Sequence, residues 1–137
     1  MRFLAIYRTA ETNIPPSTEE IAAMGKLIDE MTNAGVLLAT EGCLPSVTGT
    51  RVRRSNGRIT VTDGPFTESK EIIGGFALVQ VRSKEEAIEW TKRFLRVAGD
   101  GESEIRQIAE LDDCGAEVTP DLRAEVERQK AKLAFRQ

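Results

Sequence analysis

Residues 61–76 read VTDGPFTESKEIIGGF, and here the chain gathers its densest run of groups able to do chemistry. Asp63 and Glu68 are carboxylates, Lys70 is an amine, and Gly64, Pro65 and the pair Gly74-Gly75 bend the backbone around them. A carboxylate becomes a useful base when partial burial raises its pKa, and a neighbouring ammonium holds anionic groups. The rest of the chain narrows the choice, because it contains no histidine. Ser-His and Cys-His nucleophile pairs and the usual zinc sites are therefore absent. Acid–base work falls to carboxylates, Lys, Tyr or Arg, and no metal site or cofactor is expected. A bland alternative stands beside the chemical one. Asp63 caps the turn that follows it, Pro65 ends a strand by removing a donor, and Lys70 pairs with Glu68 or Glu41.

The bulk composition sets the frame for these groups. At 137 residues the chain is long enough for a real core without disulfides or metal. A net charge of −3 gives no electrostatic case for nucleic acid or an anionic membrane as partner. No apolar run approaches the roughly 18 residues that span a bilayer. The opening MRFLAIY lacks the long apolar segment of a secretory signal, so a cytoplasmic location is expected. Cys43 and Cys114 lie far apart with no CxxC spacing, which predicts reduced, buried or half-buried thiols.

The elements that must position the site follow from periodicity. Arg2–Tyr7 and Gly75–Val81 are apolar on both faces and read as central strands. Ser17 to Glu20 and Ser83 to Glu86 form capping boxes. Behind them run the helical stripes Ile21, Met24, Ile28, Met31 and Ala87, Trp90, Phe94, Val97. Gly35 ends the first helix, and Val36–Glu41 is a strand. Thr50–Ser55 and Arg58–Thr62 flank Asn56-Gly57, a type I′ hairpin signal that sets Val52 opposite Val61 and Arg53 opposite Thr60. Arg51, Arg53, Arg54 and Arg58 then decorate a solvated ribbon. Thr67 to Glu71 is long enough for about one helical turn. Ser103–Leu111 is the last strand, and Thr119-Pro120 opens a tail helix to about Phe135. The fold class is α+β: a ferredoxin-like βαββαβ with an inserted hairpin and a C-terminal helix. Two helices cover one face of that sheet, so the second face predicts a homodimer.

The string TDGPFTESKEIIGGF resembles the signature of the DGPF family within the YCII-related superfamily. Support comes in the right order from FLAIY, AGVLLATEGC-LP and EEAIEW. The resemblance covers residues 1–111 and leaves 112–137 as a C-terminal helical extension. It implies ferredoxin-like domains that pair their sheets into a dimeric α/β barrel. It also implies a function that is generally unassigned and, for many members, a gene beside an alternative sigma factor. A His–Asp pair is the suspected catalytic centre of the superfamily. Asp63 matches the acidic member, but without histidine no dyad mechanism carries over. The resemblance thus implies a small dimer that binds or transforms an organic acid-like molecule near the DGPF loop. By fold-level analogy Asp63 would be the base, Lys70 would hold the anion, and Tyr7 or Glu41 would supply a second proton site, with Glu68 nearby. The alternative is a non-catalytic, ligand-binding dimer that informs a regulatory partner.

Overall fold

The computed structural model describes residues 1–12, 14–68, 70, 72–115 and 117–134, in two compact units, Met1–Gln107 and Ile108–Gln137. In the first unit a four-stranded sheet is built from β1 (Arg2–Arg8), β2 (Leu37–Gly42), β5 (Ile73–Gln80) and β6 (Glu102–Gln107). The order is β2-β5-β1-β6, with every neighbouring pair antiparallel. With α1 (Thr18–Asn33) and α2 (Lys84–Ala98) between them, this is the ferredoxin-like α+β arrangement. The two strands read as apolar on both faces, β1 and β5, are the two central ones.

The helices start where short side chains satisfy their orphan donors. Ser17 Oγ accepts from Glu20 N at 3.1 Å, and Ser83 Oγ accepts from Glu86 N at 3.1 Å. Phe3 and Val79 of the sheet, Leu27 and Met31 of α1, and Ala87 of α2 form the buried centre, with Trp90 and Phe94 packed against it. The stripe of α1 differs from the expected one: Leu27 is buried, whereas Ile21 is 58% exposed. Met24, Leu27, Ile28 and Met31 follow the i, i+3, i+4, i+7 rule, and Ile21 lies one turn before that row.

Three other expectations are corrected. The last strand ends at Gln107 rather than Leu111, because its one sheet neighbour is β1 and Phe3 already lies opposite Gln107. Asp63 belongs to the hairpin's second strand rather than following it: β3 (Thr50–Ser55) and β4 (Arg58–Asp63) pair from Ser55↔Arg58 to Thr50↔Asp63. Both thiols are free but exposed, since Cys43 sits in the loop leaving β2 and Cys114 in a one-turn helix. The expected turn over Thr67 to Glu71 includes Ser69 and Glu71, which lie outside the described residues, as does Phe135 at the end of the tail helix.

The hairpin turn matches its signal. Asn56 and Gly57 have φ of 51° and 78°, the doubly left-handed backbone that a type I′ turn requires. In the second unit, Thr119 Oγ1 accepts from Leu122 N at 3.1 Å to open α3 (Pro120–Ala134). Arg123 of α3 pairs with Asp112 of the one-turn helix Leu111–Cys114. Among the described residues no helix is long and apolar enough to cross a membrane.

Candidate functional site

A cavity of about 420 Å³ lies between the sheet and the two helices. Ala5 and Ala77 form its floor, and they face each other in register across β1 and β5. Two adjacent alanines at the sheet's centre leave room where larger side chains would fill the core. Leu27, Met31, Trp90 and Phe94 contribute to the apolar walls. The volume falls in the ordinary range of small-molecule sites, about 300–1,000 Å³.

Polar groups converge on this apolar space. Thr40 Oγ1 donates to the Phe76 carbonyl at 2.9 Å, and Thr91 Oγ1 donates to the Ala87 carbonyl at 2.8 Å. Each hydroxyl has spent its donor and keeps acceptor lone pairs for a ligand. Ser103 and Tyr7 also line the cavity; Glu41 borders it too, but it lies opposite Phe76, so its carboxylate is on the other face of the sheet.

Tyr7 is held by its surroundings on several sides. Its ring meets Phe94 edge-on with centroids 5.1 Å apart, and its hydroxyl donates to the Asp100 carbonyl at 3.1 Å. Gly74 and Gly101 leave the ring its space. A Cβ on Gly101 would lie 2.5 Å from the ring, and one on Gly74 would lie 3.2 Å away. The helix roof is braced separately, by the ion pair of Glu30 on α1 with Arg93 on α2. The hydrogen bond from Arg93, followed by its charge, holds the Glu30 carboxyl below the ordinary carboxylate range.

Of the residues expected from the sequence, Tyr7 and Glu41 border this cavity, Glu41 with its side chain on the opposite face of the sheet. Lys70 lines an adjoining groove, which shares Tyr7, Gly74 and Ala98 with the cavity and also carries Arg8, Glu11, Asp100 and Glu102. Glu68 is exposed and lines neither space. Asp63 is exposed too, at the base of the hairpin, where its carboxylate accepts from Thr50 Oγ1 at 3.0 Å. It does not line the cavity or the groove.

The DGPF stretch instead ties three segments together. Gly64 N donates to the Gly49 carbonyl at 2.9 Å, and Phe66 N donates to Ser46 Oγ at 2.9 Å. The buried Ser46 donates its hydroxyl to Glu11 at 2.7 Å, and its backbone N–H also reaches that carboxylate. The Arg51 guanidinium lies 3.7 Å above the centre of the Phe66 ring. Gly64 is fixed by proximity: a Cβ there would lie 1.7 Å from the Ser46 carbonyl oxygen.

Sequence reasoning missed Thr40 and Trp90 as cavity residues. Thr40 had a signal, since a polar side chain in the inward row of β2, opposite Ala77, interrupts an otherwise apolar face. Trp90 had none, because a core tryptophan and a cavity tryptophan share the same helical spacing.

A model of the YCII-related domain matches residues 1–112. "Uncharacterized protein R00369" of Rhizobium meliloti (strain 1021) is 32% identical over 77 residues, 56% of this chain. The match spans 62% of that relative, less than two thirds of its length. Among solved structures, 5-chloro-2-hydroxyhydroquinone dehydrochlorinase from Burkholderia phenoliruptrix AC1100, in complex with 2,5-dihydroxybenzoquinone, aligns with a TM-score of 0.44 at 15% identity. That alignment covers 82% of this chain and 97% of the other, and a likeness so weak carries no functional weight. With residues 1–112 of 137 matched by the family model, the chain belongs to the YCII-related domain family.

Proposed function

We propose that this protein binds a small, neutral, mainly apolar organic molecule in the cavity between its sheet and helices. One observation carries the proposal: the cavity is apolar, and its described lining holds no cation. A ligand carboxylate placed there would meet no cation to offset its lost hydration, which is unfavourable where water is scarce. This departs from the acid-like ligand expected at first. Lys70, the residue assigned to such an anion, lies in the groove alongside three acidic residues. The hydroxyl acceptors of Thr40 and Thr91 suit a ligand bearing O–H or N–H groups. Tyr7 is the lining residue whose side chain can exchange a proton with it, since Glu41 shares the outer face of the sheet with Phe76.

The remaining expectations enter as parts of the same proposal. Asp63 serves as a clamp on Thr50 at the hairpin base, supported by its exposure and by that hydrogen bond. Membership of the DGPF subgroup is supported by the string at 63–76. The free thiols of Cys43 and Cys114 favour a cytoplasmic location. A homodimer is favoured by the sheet face turned away from the helices, where Leu4, Ile6 and Leu78 are half-buried and Phe76 is 37% exposed.

The test uses Trp90, the chain's lone tryptophan and a cavity residue, as the reporter. Wild-type protein is titrated with matched neutral and carboxylated aromatic compounds while Trp90 emission is followed. Neutral compounds should give saturable changes, and their carboxylated partners should bind about tenfold more weakly, the factor that ~1.4 kcal/mol gives. Saturation by no compound, or tighter binding of the carboxylates, would overturn the proposal.

A further inference from the structure

The β3–β4 hairpin has an apolar face that the described residues leave open. Val52, Ile59 and Val61 are 70%, 68% and 65% exposed. The register puts Val52 opposite Val61 and Arg54 opposite Ile59, so all three apolar side chains share one face of the ribbon. The other face carries Arg51, which is the side packed on Phe66. The ribbon is a separate two-stranded sheet, outside the four-stranded one. Two strands alone are marginal in water, and a regular row of β-branched side chains is a face made to pack.

Charge points to what covers it. Residues 50–63 hold four arginines and Asp63, a net of +3, in a chain whose total is −3. The remainder therefore carries −6, a basic arm on an acidic body. A polyanion attracted to the arm would be repelled by that body, whereas another copy of the same body offers it the opposite sign.

We propose that the hairpin is an intersubunit arm, its Val52–Ile59–Val61 face packing on a second copy of this chain while Arg54, on the same face, meets that copy's acidic surface and the ribbon's other arginines add to the long-range attraction. The ligand proposal plays no part in this. It extends the dimer reading, so the experiment separates an arm contact from a contact through the open sheet face.

Sedimentation over a concentration series is run on the wild type, on the triple variant Val52→Thr, Ile59→Thr, Val61→Thr, and on the sheet-face variant Phe76→Lys. Threonine keeps the strand preference of the ribbon while removing its apolar face. The triple variant should raise the dimer dissociation constant by about tenfold or more, with unchanged circular dichroism. Added salt should weaken the wild-type dimer. Amide exchange of residues 52–61 in the wild type should slow as concentration rises, which reads the arm without any substitution. An unchanged dissociation constant in the triple variant would overturn the arm, even if Phe76→Lys dissociates the dimer and so upholds the sheet contact. Exchange at 52–61 that ignores concentration would also overturn it. A wild type that stays monomeric throughout, or that associates with RNA or anionic vesicles but not with itself, would overturn both the arm and the dimer.

Discussion

Replacing Gly64 with alanine is a sharp trial of how the DGPF stretch is held. Gly64 is not among the positive-φ glycines, so backbone conformation alone would tolerate alanine. At an unstrained loop site that change stabilises a protein by about 0.4–1 kcal/mol through the unfolded chain. Here the new Cβ would lie 1.7 Å from the Ser46 carbonyl oxygen and 2.7 Å from its carbon, both backbone atoms. Ser46 has little freedom to retreat, because Glu11 holds its hydroxyl and N–H while Phe66 N donates to its Oγ. Separating the two segments forfeits the Gly64–Gly49 and Phe66–Ser46 hydrogen bonds, at about 1 kcal/mol each. Residual overpacking adds about 1–3 kcal/mol. After the unfolded-state gain the net loss is about 3 kcal/mol, which for a chain of this size lowers the melting temperature by roughly 10 °C. Thermal and urea unfolding followed by circular dichroism measure it. Gly25→Ala, in the interior of α1 with nothing within 4 Å of its Cβ position, is the control and should gain about 0.5–1 kcal/mol. A Gly64→Ala protein melting within about 2 °C of wild type would refute the reasoning, because so small a shift leaves no room for the backbone overlap.

Two further outcomes test the elements around the site. Gly57→Val, at a φ of 78°, should cost about 1–2 kcal/mol in urea unfolding, whereas equal midpoints would mean that the turn lies elsewhere. Glu30→Gln should melt below wild type at neutral pH. Because Arg93 depresses the folded-state pKa of Glu30, that difference should be full above the unfolded value of 4.5 and should vanish as pH falls through the lower folded value. A difference that persists in strong acid would show that the Glu30–Arg93 pair is not its source.

The fold was legible where local chemistry and periodicity agree. Ser17 and Ser83 cap their helices, Asn56-Gly57 sets the hairpin register, and the two-faced apolar strands are the central pair. The end of β6 was not legible, because it depends on where β1 stops offering a partner. The cavity itself was not legible. Tyr7 borders it, but a cavity is set by what is missing between elements, here by Ala5 facing Ala77, and such a gap leaves no local signature. The DGPF string drew notice because its residue types are unusual. In the structure those types are needed by contacts with Ser46, Gly49 and Thr50, which are local in space but distant in the chemistry first assigned to them.

The central claim is that the cavity over Ala5 and Ala77 takes a small neutral molecule. The most direct test is calorimetric titration of a neutral aromatic ligand, chosen by its effect on Trp90 emission, into wild-type and Ala77→Leu proteins. Leucine at 77 would occupy part of the 420 Å³ without polar burial, so the variant should melt at or above the wild-type temperature. It should bind the ligand about a hundredfold more weakly, a loss of ~2.8 kcal/mol. Equal affinity in the two proteins would mean that the ligand sits elsewhere and would contradict the account.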